Sequence, residues 1–183
     1  MIIFDLDGTL ANCEHRRHFV DARYRDDCVL WIDDKAREHY LYKDGYERFE
    51  TRKKFVPDWS AFYEACDQDV PIEPVIQLFD ELAKKHGRNG LRIWSGRCES
   101  VSQKTLGWLA YHSKQFHEQG IFVKMRPIGD YTPDDVLKER WLDEIIAKGK
   151  TIYFVFDDRP KVIGMWRRRG IFVFNCCQHD NEF

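Results

Sequence analysis

The chain has 183 residues, 31 acidic against 29 basic, for a formal net charge of -2. That length fits one domain with room for a small insertion, and the charge balance excludes a global basic field, so any grip on a polyanion must be local. Six irregularly spaced cysteines, a Met1 that leads straight into an apolar strand, and the lack of any membrane-length apolar run point to a reduced, cytoplasmic setting with no membrane.

Met1-Ile2-Ile3-Phe4-Asp5-Leu6-Asp7-Gly8-Thr9-Leu10 opens as a short apolar strand that ends in two acids and a glycine. Alternation along an extended backbone puts Asp5 and Asp7 on one side and Leu6 on the other. Two carboxylates held that close repel unless a cation lies between them or one is protonated. Gly8 permits a sharp turn, and the Thr9 hydroxyl can pin that turn or donate to an anion. Glu14-His15-Arg16-Arg17-His18 then puts basic groups a turn or two from the acids, suited either to a phosphate or to a solvated helix.

From 21 to 56 the chain is dense in charge and in aromatics, with Trp31, Tyr40, Tyr42, Tyr46 and Phe49, and is too apolar for a disordered linker. Arg37, Tyr40, Leu41 and Asp44 hint at a helical period that Pro57 breaks. The segment 21–56 is expected to be a small helical cap over the end of the sheet, with 1–20 and 57–183 as the core. Asp58 is placed to cap a helix over 59–66.

Residues 71–86 carry Val75, Ile76, Leu78, Phe79 and Leu82 at helical spacing, with Gly87 as the stop. A strand over 91–94 ends at Ser95-Gly96-Arg97. A helix over 99–118 and a strand over 121–125 follow. Thr132 is expected to cap a helix that begins at Pro133, carries Asp134, Asp135 and Lys138, and stops near Gly149. The strand 151–156 runs into Asp157-Asp158-Arg159-Pro160. A basic helix through Trp166 and Arg167-Arg168-Arg169 leads to a last strand over 171–174. Cys176-Cys177 with His179 lacks metal-ligand spacing and reads as packing or surface cysteine.

Apolar strands that alternate with helices specify an α/β fold: an open, five-stranded parallel sheet with helices on both faces. In such sheets ligands gather at the carboxyl ends of the strands, near the point where strand order reverses. Asp5, Asp7, Ser95, Lys138, Asp157 and Asp158 all fall at strand ends or in the loops and helices that follow them. Singly, Ser95 fits a helix cap, Lys138 a solvated helix lysine and Asp157-Asp158 a turn before Pro160. Jointly, in this order, they point to chemistry.

The order Asp5-x-Asp7-Gly8-Thr9, Ser95, Lys138, Asp157-Asp158 resembles the haloacid dehalogenase (HAD) superfamily of phosphotransferases, with its Rossmann-like core. More narrowly, Trp94-Ser95-Gly96-Arg97, Met125-Arg126, Asp134-Asp135-Val136-Leu137-Lys138, Phe156-Asp157-Asp158-Arg159 and Met165-Trp166-Arg167-Arg168 resemble the 3′-phosphatase domain of bacteriophage-type polynucleotide kinase/phosphatase. The likeness is good over 2–20 and 57–173 and poor over 21–56. The kinase loop G-x-x-x-x-G-K-[ST] of the bifunctional relatives does not occur here. The resemblance implies catalysis by Asp5, Asp7, Ser95 and Lys138, Mg²⁺ held by Asp5, Asp157, Asp158 and the backbone carbonyl of Asp7, and substrate contacts from Thr9, Arg16, Gly96, Arg97, Arg126 and Arg159.

The residue chemistry agrees with that expectation. A carboxylate can attack phosphorus to form an aspartyl-phosphate, and Asp5, nearest the strand, is the candidate. Asp7 can protonate the leaving alkoxide and then take a proton from water. Acidic oxygens suit Mg²⁺, while Ser95 and Lys138 offer a donor and a charge to phosphoryl oxygens. Asp134 and Asp135 are placed either to orient Lys138 or to cap its helix. Arg16, Arg97, Arg126 and Arg159 are expected to form a basic rim. The leading reading is a Mg²⁺-dependent phosphomonoesterase that removes 3′-phosphates from nucleic acid ends or nucleotides. The rivals are a 5′-nucleotidase or other small-metabolite phosphatase, and a non-catalytic phosphate-binding scaffold.

Overall fold

The computed structural model describes residues 1–25, 28–29 and 53–177. Trp31, Tyr40, Tyr42, Tyr46 and Phe49, which motivate the helical cap, lie outside the described residues. In chain order the elements begin with β1 (Ile2–Phe4), β2 (Ala11–Asn12), 3-10 turns at Glu14–Phe19 and Ala22–Tyr24, β3 (Cys28–Val29), β4 (Lys53–Lys54) and α1 (Trp59–Glu64). They continue with β5 (Val70–Pro71), α2 (Glu73–Gly90), β6 (Leu91–Cys98), α3 (Ser102–His112), α4 (Lys114–Gln119) and β7 (Phe122–Arg126). The last are α5 (Asp134–Ala147), β8 (Phe154–Asp157), α6 (Pro160–Arg168) and β9 (Phe172–Asn175).

Five strands form one parallel sheet in the order β7-β6-β1-β8-β9. The chain moves outward from β1 to β6 and β7, then returns to build β8 and β9 on the other side. The reversal falls at β1 and β8, which pair in register from Ile2–Phe154 to Phe4–Phe156.

Side chains alternate across a strand, so β1 feeds two cores. Ile2 and Phe4 join Phe79 and Ala83 of α2, Leu109 of α3 and Phe116 of α4. Met1 and Ile3 join Leu137, Trp141 and Leu142 of α5 with Val162, Ile163 and Trp166 of α6. The same parity holds on β8, where Phe156 faces the first layer and Val155 the second. Phe4 stacks on Phe156 at 4.3 Å between ring centroids and meets Phe79 edge-on at 5.2 Å. Full burial of a side chain of this size contributes about 1.5–3 kcal/mol.

Local chemistry explains where the elements end. α2 departs from helical backbone at Gly87, whose φ is 58°, though helical hydrogen bonding resumes through Gly90. The stretch 99–118 is not one helix, because Ser113 is extended there and its Oγ accepts from Phe116 N at 3.0 Å, capping α4. Asp58 caps α1 through Ala61 N at 2.9 Å. Thr132 does not cap α5: Pro133 holds the cap position with no side-chain bond, and Thr132 instead donates its N–H to Asp130 Oδ1 at 2.8 Å. β6 runs on to Cys98, well past Trp94. The antiparallel pair β2–β5 escapes sequence reading because two residues per strand carry no periodicity.

The chain divides into two compact units, Met1–Cys13 with Cys66–Phe183, and Glu14–Ala65. The inserted unit begins earlier and ends later than 21–56. Within it, Arg17 bridges Glu14 at 2.9 Å and donates to Tyr24 Oη at 2.9 Å, and Asp58 N donates to Phe19 O. β3 and β4 pair in parallel. No helix among the described residues is long and apolar enough to cross a membrane.

Candidate active site

Strand parity decides which acids meet. Asp5 follows β1 on the side of Met1 and Ile3, and Asp157 ends β8 on the side of Val155, so both turn toward α5 and α6. The N–H of Asp5 donates to Phe156 O at 2.9 Å, which fixes its backbone beside β8. From the other layer, α5 buries Leu137, Lys138, Trp141 and Leu142, a helical stripe in which only Lys138 is charged. Its Nζ lies 2.9 Å from Asp5 Oδ1 and 2.8 Å from Asp157 Oδ2. Trp166 Nε1 of α6 also donates to Asp157 Oδ2, at 3.3 Å.

Asp158 completes the cluster. Oxygens of Asp5, Asp157 and Asp158 all lie within 4.8 Å of one another, and all three residues are buried. Oδ1 of Asp158 is buried and has no hydrogen-bond partner among the described residues. Gly8 makes its approach possible: a Cβ there would sit 1.9 Å from Asp158 Oδ2, and φ of +79° is left-handed. Three carboxylates against one ammonium leave an excess of two negative charges when all are ionised. Burial, then the neighbouring acids, push Asp158 well above its usual range, and Asp5 rises to about 6, mainly by burial against the pull of Lys138. Burial alone would lower Lys138, but Asp157 and Asp5 more than offset it and hold the ammonium above its ordinary value. Buried, crowded oxygen donors with an orphaned lone pair suit a hard divalent cation.

Asp7 belongs to a second cluster. Residues 6–11 wind into a tight turn in which Leu6 O accepts from Leu10 N and Ala11 N at 2.9 Å, and Gly8 N donates to Ala11 O. This carries Asp7 to Arg97, whose Nε donates to Asp7 Oδ1 at 2.9 Å and whose Nη2 reaches the same oxygen at 2.5 Å. Nη2 also meets Asp69 Oδ2 at 2.5 Å, and Nη1 meets Thr105 Oγ1 at 3.4 Å. Asp69 is held in turn through its carbonyl, which accepts from Trp108 Nε1 at 2.7 Å. Asp7 keeps about a quarter of its side chain in solvent, while Arg97 and Asp69 are wholly buried.

The remaining expected residues fall as follows. Ser95 is buried, and its Oγ accepts from Arg97 N at 3.2 Å. Thr9 is buried, and its Oγ1 bonds to none of the described residues, so its hydroxyl does not pin the turn of 6–11. Gly96 sits against Asp134, where a Cβ would lie 2.7 Å from Oδ1. Instead of a solvated rim, the arginines are engaged by carboxylates and carbonyls. Arg126 is buried, donates to Gly96 O at 2.9 Å and Thr132 O at 2.5 Å, and pairs with Asp134. Arg159 pairs with the other oxygen of Asp134, keeping about two-fifths of its side chain exposed. Asp134 thus serves two arginines, and the acids that orient Lys138 are Asp5 and Asp157. Arg16 lies in the inserted unit, buried, with Nη1 donating to Phe62 O at 3.1 Å and its guanidinium 4.1 Å over the Phe62 ring. The sequence assigns no site role to Asp69, Thr105 or Trp166. An isolated Asp before a strand, a helix Thr and a Trp known only as part of a motif take a role when the fold brings them to Arg97 and Asp157.

The chain is similar to several known proteins. The family described as the polynucleotide kinase PNKP phosphatase domain matches residues 50–181. A protein of Autographa californica nuclear polyhedrosis virus, assigned as a bifunctional polynucleotide kinase/RNA ligase, is 36% identical over 141 residues, which is 76% of this chain and 19% of the viral protein. Two solved structures of a Pnkp1/Rnl/Hen1 complex, one titled an RNA repair complex, share the fold at a TM-score of 0.58 with 22% and 24% identity. They cover 98% of this chain, which spans 43% and 46% of theirs, so the chain covers less than half the length of each of these relatives. With the family match extending over the larger part of its length, the chain belongs to the polynucleotide kinase PNKP phosphatase domain family.

Proposed function

We propose that this chain is a Mg²⁺-dependent phosphomonoesterase that removes the 3′-phosphate from nucleic acid ends. The observation that carries the reading is the buried trio Asp5, Asp157 and Asp158, with Lys138 among them, at the carboxyl ends of adjacent strands. Its excess negative charge fits a divalent cation held by Asp5, Asp157, Asp158 and the Asp7 carbonyl. When bound, Mg²⁺ would neutralise the repulsion between a carboxylate and a dianionic phosphate.

A carboxylate oxygen of Asp5 attacks phosphorus, the bond from phosphorus to O3′ breaks, and Asp7 gives its proton to the departing oxygen. Water then attacks phosphorus, Asp7 takes the proton back, and the aspartyl-phosphate breaks to free Asp5 and inorganic phosphate. Arg97, set by Asp69, holds Asp7 in one rotamer while the Asp7 side chain keeps contact with solvent. Lys138 steadies the phosphoryl oxygens, with help from Ser95, the unbonded Thr9 hydroxyl and the backbone at Gly96. Of Arg16, Arg97, Arg126 and Arg159, Arg159, two-fifths exposed, has most freedom to turn to a substrate phosphate, while Arg126 and Arg16 support the loops around them.

A release assay decides between this reading and a nucleotidase. Phosphate release from 3′-phosphorylated oligonucleotides, nucleoside 3′-monophosphates and nucleoside 5′-monophosphates is measured with Mg²⁺ present. The 3′-phosphorylated ends are expected to react fastest, and faster hydrolysis of 5′-monophosphates would overturn the assignment.

A further inference from the structure

The loop between β7 and α5 presents apolar side chains to water at the catalytic end of the sheet. Tyr131 is 93% exposed and Ile128 72% exposed, three residues apart. Single exposed apolar side chains are ordinary, but two on one short loop make a patch. Here the backbone beneath them is tied down. Arg126 Nη1 donates to Asp130 O at 3.2 Å and Thr132 O at 2.5 Å, so its guanidinium reaches carbonyls on both sides of Tyr131. Asp130 Oδ1 accepts from Thr132 N at 2.8 Å, and Arg140 Nη2 donates to Asp130 Oδ2 and Thr132 Oγ1, each at 2.9 Å. Asp130 N closes a turn onto Pro127 O at 3.1 Å. The Tyr131 hydroxyl bonds to none of the described residues. The loop is preorganised, and the ring it carries is left over for something outside the chain.

Position and charge indicate what that is. Tyr131 lies three residues before Asp134, the first residue of α5, and Lys138 follows four residues later. Extended chain and helical rise together keep the two Cα atoms within roughly 17 Å. That span matches no more than about five stacked nucleotides at 3.4 Å each. Arg140 and Arg159, whose side chains are 53% and 41% exposed, flank the same segment, and though each is paired with an aspartate, each keeps part of its guanidinium edge open to a phosphate. We infer that Tyr131, with Ile128 beside it, is a stacking platform for a base of a single-stranded 3′ end, within the first few nucleotides of the phosphate that is removed. This rests on the proposed activity and gives its substrate a form: an unpaired polynucleotide end, whose bases offer π faces irrespective of sequence.

The test separates the platform from the chemistry. Affinity is read first, as fluorescence anisotropy of a labelled, 3′-phosphorylated single strand with the Asp5→Asn protein, which does not turn it over. Adding Tyr131→Ala is expected to weaken binding by about tenfold or more, and adding Tyr131→Phe, which keeps the ring, to leave it within about twofold. In turnover, Tyr131→Ala should cut the preference for an oligonucleotide over a nucleoside 3′-monophosphate by a similar factor, through KM and not kcat. Binding that Tyr131→Ala leaves unchanged, or absence of single-strand binding altogether, overturns the platform. If the strand binds through Tyr131 but its 3′-phosphate is never released, the platform stands and the phosphatase assignment fails.

Discussion

Two charged clusters lie at the head of the sheet, and they are built to opposite ends. Around Lys138, three buried carboxylates crowd one ammonium, an oxygen of Asp158 has no partner, and glycine at position 8 is what lets Asp158 approach. Around Arg97, a planar guanidinium is clamped by Asp7 and Asp69 and steadied by Thr105, and the outer carboxylate reaches solvent. The first cluster is unfavourable by itself and asks for a cation. The second is satisfied and holds the Asp7 carboxyl group in place. Neighbouring carboxylates do different work because their partners differ, as environment and not residue type sets the role of an acid.

The largest effect should come from the first cluster. Asp5→Asn keeps the volume but removes the nucleophile, so phosphate release from 3′-phosphorylated oligonucleotides is expected to vanish while circular dichroism still reports a folded chain. Near-normal turnover would end the covalent scheme.

Lys138→Met breaks the same cluster from the other side. Removing one partner of a buried ion pair costs about 3–5 kcal/mol, here because the remaining carboxylates face each other without a cation. Denaturant melts in chelator should show that loss, and added Mg²⁺ should recover part of it. In the wild type, Mg²⁺ at a hundred times its dissociation constant should add about 2.7 kcal/mol. A melting curve indifferent to Mg²⁺ would remove the metal from the account.

The second cluster should break more mildly. Asp69→Asn leaves Arg97 paired with Asp7 but takes away its buried counter-charge, at a cost of about 1–3 kcal/mol. Because Arg97 then swings, phosphate release from 3′-phosphorylated oligonucleotides should slow, through kcat. Loss of stability with an unchanged kcat would make Asp69 structural alone.

The smallest effect lies outside both clusters. Bonds from Thr132, then Arg140, pull the Asp130 carboxyl from its ordinary 3.8 down to about 2. A depressed carboxyl contributes stability above its unfolded value and loses it as pH falls through the folded one, so any contribution from Asp130 fades between about 4 and 2. A titration followed by NMR should find its midpoint near 2, and a midpoint near 4 would mean the loop bonds do not hold in solution.

Much of this arrangement is legible in the sequence. The alternation of apolar strands with helices specifies a parallel sheet, and Asp5 and Asp157 stand out as charges at the ends of apolar runs, whereas Lys138 by itself reads as a solvated helix lysine. Parity along β1 places Asp5 beyond doubt on one side of the sheet, but it does not say that Asp7, two residues on, leaves that side. The turn of 6–11 does that, through bonds to Leu6 O and Ala11 O that no spacing rule foretells. Nor could the arginines be sorted by sequence: an exposed rim and a buried clamp have the same residue types. Only tertiary structure brings Asp69 from before β5 to Arg97, sets Asp134 between Arg126 and Arg159, and leaves Lys138 to Asp5 and Asp157. Local sequence determines which residues are apolar, capped or able to turn, because those preferences act within a few residues. Which charge answers which is decided by the packing of distant segments, where desolvation makes each buried ion take the nearest opposite partner the fold provides.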